Sequence, residues 1–238
     1  MERLKMAHKI SERLVHIPAD SVSLEGALVI PAEAQGVVLF AHGSGSSRHS
    51  PRNKYVAGVL NTAGLGTLLI DLLTRKEDAV YETRFDIALL TRRLEIATQW
   101  LAKQPEAKSL GIGYFGASTG AAAALQAAAF LGSVIGAVVS RGGRPDLALS
   151  VLDRVSAPTL LIVGGRDEIV IDLNQQAYER LRAVKQVVIV PGATHLFEEP
   201  GTLQEVARLA SEWFKRHLSL KQAQESARKI AVIPMAGQ

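Results

Sequence analysis

Short apolar runs that stop at glycine or a polar residue recur along this chain, and they leave few folds open. Val37-Val38-Leu39-Phe40 runs into Ala41-His42-Gly43, Thr67-Leu68-Leu69-Ile70 into Asp71, and Leu110 to Phe115 into Gly116-Ala117-Ser118. Further on, Ile135 to Val139 leads to Ser140-Arg141-Gly142-Gly143, Thr159 to Val163 to Gly164-Gly165-Arg166-Asp167, and Val187 to Val190 to Pro191-Gly192-Ala193-Thr194-His195. Consecutive apolar positions are what strands of a parallel sheet need when both faces are covered. Between the runs, Ile87, Leu90, Leu94, Ala97 and Leu101 repeat at helical spacing, as do Leu203, Val206, Ala210, Trp213 and His217. Pro51 suits the first turn of a helix reaching about Thr62. Thr202-x-x-Glu205 reads as a capping box opening the last helix. The alternation of strand and helix places the chain in the α/β class, with a doubly wound, mostly parallel sheet. Residues 12–18 and 22–30 read as a preceding hairpin.

With 238 residues, no interdomain linker and no repeat, one domain over residues 1–218 is expected, followed by a C-terminal tail at 219–238 whose role is unreadable. Apolar residues make up 47% and charged residues 21%, which excludes a disordered or collagen-like chain. The net charge of +4 is spread along the chain, so nucleic acid is not an expected partner. No apolar run is long enough to span a membrane, and MERLKMAHKISERLVH lacks the apolar core of a signal peptide. Cysteine is absent, which removes disulfides, thiolate zinc sites and a cysteine nucleophile. A cytoplasmic location fits that composition.

In open α/β sheets, function gathers at the carboxyl ends of the strands. Gly116-Ala117-Ser118-Thr119-Gly120 follows one strand directly and precedes an alanine-rich helix, Ala121 to Ala129. That is the context of a nucleophile elbow, in which a serine sits on a sharp turn and small neighbours avoid clashes. A plain tight turn would also use glycine and serine, so the partners decide. Asp167 ends a later strand, and His195 follows the next. The order Ser118, Asp167, His195 delivers a nucleophile, an acid and a base to one sheet edge. His195 would take the serine proton, and Asp167 would hold the imidazole tautomer. Glu168, Asp172 and Asp146 remain fallback acids. His8, His16, His42, His49 and His217 follow no suitable strand. The loop His42-Gly43-Ser44-Gly45-Ser46-Ser47 is placed to complete an oxyanion hole, with backbone N–H groups from Ser44 and Thr119. It lacks the lysine and glycine spacing of a phosphate loop. His42 itself reads as a structural loop residue.

Together, HGSGSSRHSPRN, LLIDLLT, GYFGASTG, VSRGGRPDLA, LLIVGGRDEIV and VPGATHLFEEPG resemble the α/β-hydrolase superfamily, and within it the dienelactone hydrolase-like branch. The likeness runs from about residue 12 to residue 218. It implies a hydrolase fold with an eight-stranded sheet, a Ser/Cys-Asp-His triad and ester substrates. True dienelactone hydrolases use cysteine where this chain has Ser118, which favours ordinary serine-esterase chemistry.

The expected activity is hydrolysis of short, water-soluble carboxylic esters through an acyl-enzyme, without cofactor or metal, by a monomer or homodimer. Acyl transfer or peptide cleavage by the same triad, or a scaffold role for the fold, are the alternatives. Only Arg141 to Ala157 separate two successive strands, too few for a cap domain, so an open cleft is expected. Arg141 and Arg144, with Arg48 and Arg52 after the glycine loop, are candidate binders of an anionic substrate group; Arg144 pairing with Asp146 is the competing reading.

Overall fold

The computed structural model describes residues 11–218; the expected tail at 219–238 lies outside the described residues. In chain order the elements are β1 (Arg13–Ala19), β2 (Val22–Val29), β3 (Gly36–Ala41), α1 (Pro51–Thr62), β4 (Gly66–Ile70), the single turn α2 (Arg75–Asp78), α3 (Ile87–Ala102), β5 (Gly111–Ala117) and α4 (Thr119–Leu131). They continue with β6 (Ile135–Arg141), a 3-10 helix (Pro145–Arg154), β7 (Thr159–Gly164), α5 (Glu168–Arg180), β8 (Lys185–Val190) and α6 (Thr202–His217). The eight strands form one sheet in the order β1-β2-β4-β3-β5-β6-β7-β8. β3 to β8 run parallel, while β2 is antiparallel to both β1 and β4. β1 alternates as a half-buried strand must, with Val15, Ile17 and Ala19 inward, and its hairpin turns at Asp20, whose φ of 55° an aspartate tolerates.

The strands β3, β4, β5, β6 and β7 are buried at every position, which is why their sequences are apolar without alternation. On one face, Phe40, Phe115 and Ile162 pack with α1 and α6 through Val56, Leu60, Val206 and Phe214. On the other, Leu39, Tyr114 and Leu161 pack with α3, α4 and the 3-10 helix. α4 is buried almost all round, and its run of alanines lets it lie close against the sheet.

Two expectations require correction. β8 reads as a strand covered on both faces, yet only Val190 is buried and Ile189 is 37% exposed. It is an edge strand bonded to β7 alone, and Val187, Val188 and Ile189 all keep some contact with solvent. The expected capping box of α6 does not form. Gly201, at φ 84°, is the N-cap, and Thr202 is the first helical residue, its hydroxyl donating to the Glu199 carbonyl at 2.7 Å. The capping box lies instead on α2, where Thr74 and Glu77 satisfy each other's backbone N–H.

Between β6 and β7 the chain holds only the 3-10 helix, and among the described residues no cap domain covers the carboxyl end of the sheet. Among the described residues, no helix is long and apolar enough to cross a membrane.

Candidate active site

The turn from β5 into α4 is tight and runs through a single residue of positive φ. Ser118 has φ 50° and ψ −122°, a conformation that costs a non-glycine residue of order 1–3 kcal/mol. The surroundings hold it there. Its N–H donates to the Arg141 carbonyl at 3.3 Å, and its carbonyl accepts from the N–H groups of Ala121 and Arg144 at 3.0 and 3.1 Å. Glycine is needed two residues on either side because the backbones nearly touch. A Cβ on Gly120 would sit 2.1 Å from the Ala41 carbonyl oxygen, and one on Gly116 2.4 Å from Cα of Ala121. The motif therefore locks α4 against the end of β3 and presents the serine where the two meet.

Asp167 follows β7 and occupies the N-cap position of α5, yet its side chain makes no capping bond. The carboxylate turns to His195 instead, with Oδ2 2.6 Å from Nδ1 of the imidazole. His195 is carried by the loop after β8. Arg166 N–H donates to the Ala193 carbonyl at 2.9 Å, and Thr194 N–H to the Glu199 carboxylate at 3.1 Å, so the loop is fastened at both ends. Ser118 and His195 line one cavity of about 230 Å³. Of the fallback acids, Asp146 is occupied by Arg144, and Glu168 lies in the first turn of α5.

The glycine loop after β3 is pinned by His42. Its Nε2 accepts from Leu72 N–H at 3.1 Å, which leaves the proton on Nδ1 to donate to the Gly43 carbonyl at 2.9 Å. Burial pushes the imidazole pKa below its ordinary value, so the neutral tautomer that makes both bonds is the favoured one. Ser44 lines the cavity, and its N–H donates to Oγ1 of Thr119 at 3.0 Å. The two residues expected to flank an oxyanion are thus bonded to each other, through the side chain of one and the backbone of the other.

The arginines separate sharply. Arg48 is taken up by Asp71 and Glu25. Arg144 forms a two-pronged pair with Asp146 at 2.8 and 2.7 Å and does not line the cavity. Its place beside Gly142-Gly143 gave it equal standing with Arg141 in the sequence, but an acid two residues away captures it. Arg141 does line the cavity, only 7% exposed, with its guanidinium over the Phe197 ring at 5.8 Å from the centroid. Arg52 lines it too, bonded to Glu198 at 2.7 Å. Asn53, beside it in the first turn of α1, is 2% exposed and also faces the cavity; sequence reasoning passed over it. Its only signal was Ser50-Pro51, which marks the start of a helix immediately after the glycine loop.

The family model described as "Dienelactone hydrolase family" matches residues 24–224 of this chain. Two Mycobacterium tuberculosis proteins, from strains CDC 1551 / Oshkosh and ATCC 25618 / H37Rv, each named "Putative phosphoribosyl transferase", are 58% identical over 204 residues. That stretch is 86% of this chain and 46% of theirs, so the chain spans less than half the length of those relatives. A crystal structure of dienelactone hydrolase from Anabaena variabilis superposes with a TM-score of 0.87 at 58% identity, covering 89% of this chain and all of that one. Est1E from Butyrivibrio proteoclasticus shares the fold at a TM-score of 0.75 and 16% identity, over 86% of this chain and 98% of its own.

Proposed function

Because the chain belongs to the dienelactone hydrolase family, we propose that it is a serine hydrolase cleaving carboxylic esters with Ser118 as nucleophile, His195 as base and Asp167 as its partner. The observation that carries this reading is the imidazole of His195 held by Asp167 at 2.6 Å on the wall of the cavity that Ser118 also lines. Oγ of Ser118 attacks the ester carbonyl carbon while Nε2 of His195 takes the hydroxyl proton. Asp167 stabilises the imidazolium that results. The carbonyl oxygen becomes an oxyanion, received by the N–H groups of Thr119 and Ser44, the latter leaving Oγ1 of Thr119 to do so. Collapse breaks the bond to the alcohol, which leaves with the proton from His195, and the acyl group stays on Ser118. Water then repeats the sequence and releases the carboxylic acid.

The backbone strain at Ser118 supports the nucleophile assignment, since a turn alone would be cheaper with glycine there. A fluorophosphonate probe tests it. The wild-type chain is expected to label at Ser118 and to hydrolyse p-nitrophenyl acetate, and Ser118→Ala to lose both. An unlabelled wild type, or Ser118→Ala with full activity, overturns the reading.

A further inference from the structure

The imidazole of His195 rests on Gly142 as well as on Asp167. A Cβ at Gly142 would lie 3.4 Å from Nδ1 and 3.5 Å from Cε1 of the ring, and 3.2 Å from the His195 carbonyl oxygen; its φ of 50° also keeps the position for glycine. The same segment grips the nucleophile. The Arg141 carbonyl accepts from Ser118 N–H at 3.3 Å, and Arg144 N–H donates to the Ser118 carbonyl at 3.1 Å. Gly142 N–H donates in turn to the Ile162 carbonyl of β7 at 2.8 Å. Residues 141–144 thus form a bridge whose placement sets that of serine and histidine together.

A side chain from α5 braces the middle of this bridge. Asn174 is fully buried, and its Nδ2 donates to the Gly143 carbonyl at 3.1 Å and to the Val170 carbonyl, one turn back in its own helix, at 2.7 Å. Both partners are acceptors, so the NH₂ end of the amide must face them. Its Oδ1 is enclosed with no partner among the described residues. Burying an amide with its acceptor unpaired is unfavourable, and asparagine is a poor residue for a helix interior. Its buried neighbours on α5, Val170 and Ala177, are apolar, and leucine would pack beside them at no polar cost. The reason for the amide is therefore its donors, and the one that leaves α5 goes to the bridge. Asp167 is the N-cap of the same helix. One rigid element fixes both the carboxylate on Nδ1 and, through Gly143, the glycine under the ring.

We infer that Asn174 is a positioning residue for Ser118 and His195: through its bond to Gly143 it holds the 141–144 bridge where Gly142 seats the imidazole on Asp167. The inference rests on the hydrolase reading for the reaction that this placement serves, and on the geometry alone for the placement itself.

Proton NMR of the full chain reads the bond between His195 and Asp167 through the low-field Nδ1–H resonance, assigned by its loss in His195→Gln. Asn174→Leu is expected to shift or broaden that resonance, and to slow fluorophosphonate labelling of Ser118 about ten- to hundredfold, as a small misplacement of reacting groups does. Gly142→Ala crowds the ring from the other end of the same path. It is expected to produce both changes, and serves if Asn174→Leu fails to fold. Ser140→Ala is the control. Its Oγ is enclosed without a partner and lies against Gly143, where a Cβ would stand 2.0 Å away, but it bonds nothing in the bridge. Its removal is expected to leave resonance and labelling as in the wild type. An Asn174→Leu chain with the wild-type resonance overturns the inference. So does Ser140→Ala that matches Asn174→Leu, because the bridge would then answer to packing and not to the amide bond. A wild type that does not label at Ser118 would sink the hydrolase reading, while the resonance comparison would still decide the role of Asn174, so the two failures are separable.

Discussion

Asp167 holds His195 by Nδ1, with 2.6 Å between that nitrogen and Oδ2. The bond decides which nitrogen of the ring carries the proton. With Nδ1–H given to the carboxylate, Nε2 is the bare nitrogen, and it is the one a serine hydroxyl needs.

Asp167→Asn keeps the shape of this contact and removes its logic. The amide can donate to Nδ1, which moves the ring proton to Nε2. We expect ester kcat/KM to fall about 10⁴-fold with little change in the denaturation midpoint. Steady-state rates beside urea unfolding check it; a loss under tenfold would mean another acid orients the ring.

Strain at Ser118 predicts a stability difference between two inactive variants. Both Ser118→Ala and Ser118→Gly lose the hydroxyl, but only glycine is at ease at φ 50°. Ser118→Gly should be more stable than Ser118→Ala by about 1 kcal/mol or more, despite the greater freedom glycine gives the unfolded chain. Denaturant titration of the pair measures the difference, and equal midpoints would show that the turn stores no strain.

His42 makes stability depend on pH. Burial lowers its pKa in the folded chain, whereas the unfolded chain takes up the proton near about pH 6.5. Below that pH the unfolded state binds more protons, so His42's contribution is full above about pH 6.5 and is lost as pH falls toward the folded pKa. His217, also lowered by burial and by Arg216, acts with the same sign. Unfolding free energy should therefore decline from pH 7 to pH 5.5, and the decline should be shallower in His42→Asn. A slope identical in the variant would assign the effect elsewhere.

A cavity of about 230 Å³ with no cap above it among the described residues offers little cover for a long acyl chain. Each methylene left in water forfeits about 0.8 kcal/mol of burial. p-Nitrophenyl butyrate should thus outperform the palmitate ester in kcat/KM, with no jump in rate above the critical micelle concentration. Faster palmitate hydrolysis would require a lipid channel that the cleft lacks.

What the sequence made legible was local chemistry. β3 to β7 are apolar at successive positions because they are enclosed on both faces, and the Gly116 to Gly120 turn announces itself because two backbones touch there. Contacts between distant segments were not legible. Arg141 and Arg144 flank the same two glycines, and only the folded chain sends one to Asp146 and the other beneath Phe197. Arg52-Asn53-Lys54 is a polar run at the start of a helix with no apolar signal in it, yet Asn53 is enclosed and lines the cavity. Thr202-x-x-Glu205 carries the letters of a capping box one residue out of phase, since Gly201 takes the N-cap and Glu205 goes to Arg208. Edge position is equally invisible in β8, whose apolar run looks like that of an interior strand.

That edge position governs how the molecule would fail on heating. His195 rides on the loop after β8, a strand held by a single neighbour and fully buried only at Val190. Ser118 stands between β5 and α4, both enclosed. The two halves of the proposed catalytic pair therefore belong to regions of unequal local stability. Fraying from the β8 side would withdraw the base while the nucleophile stayed in place, so inactivation would run ahead of global melting, and amide exchange would report it first in Lys185–Val190.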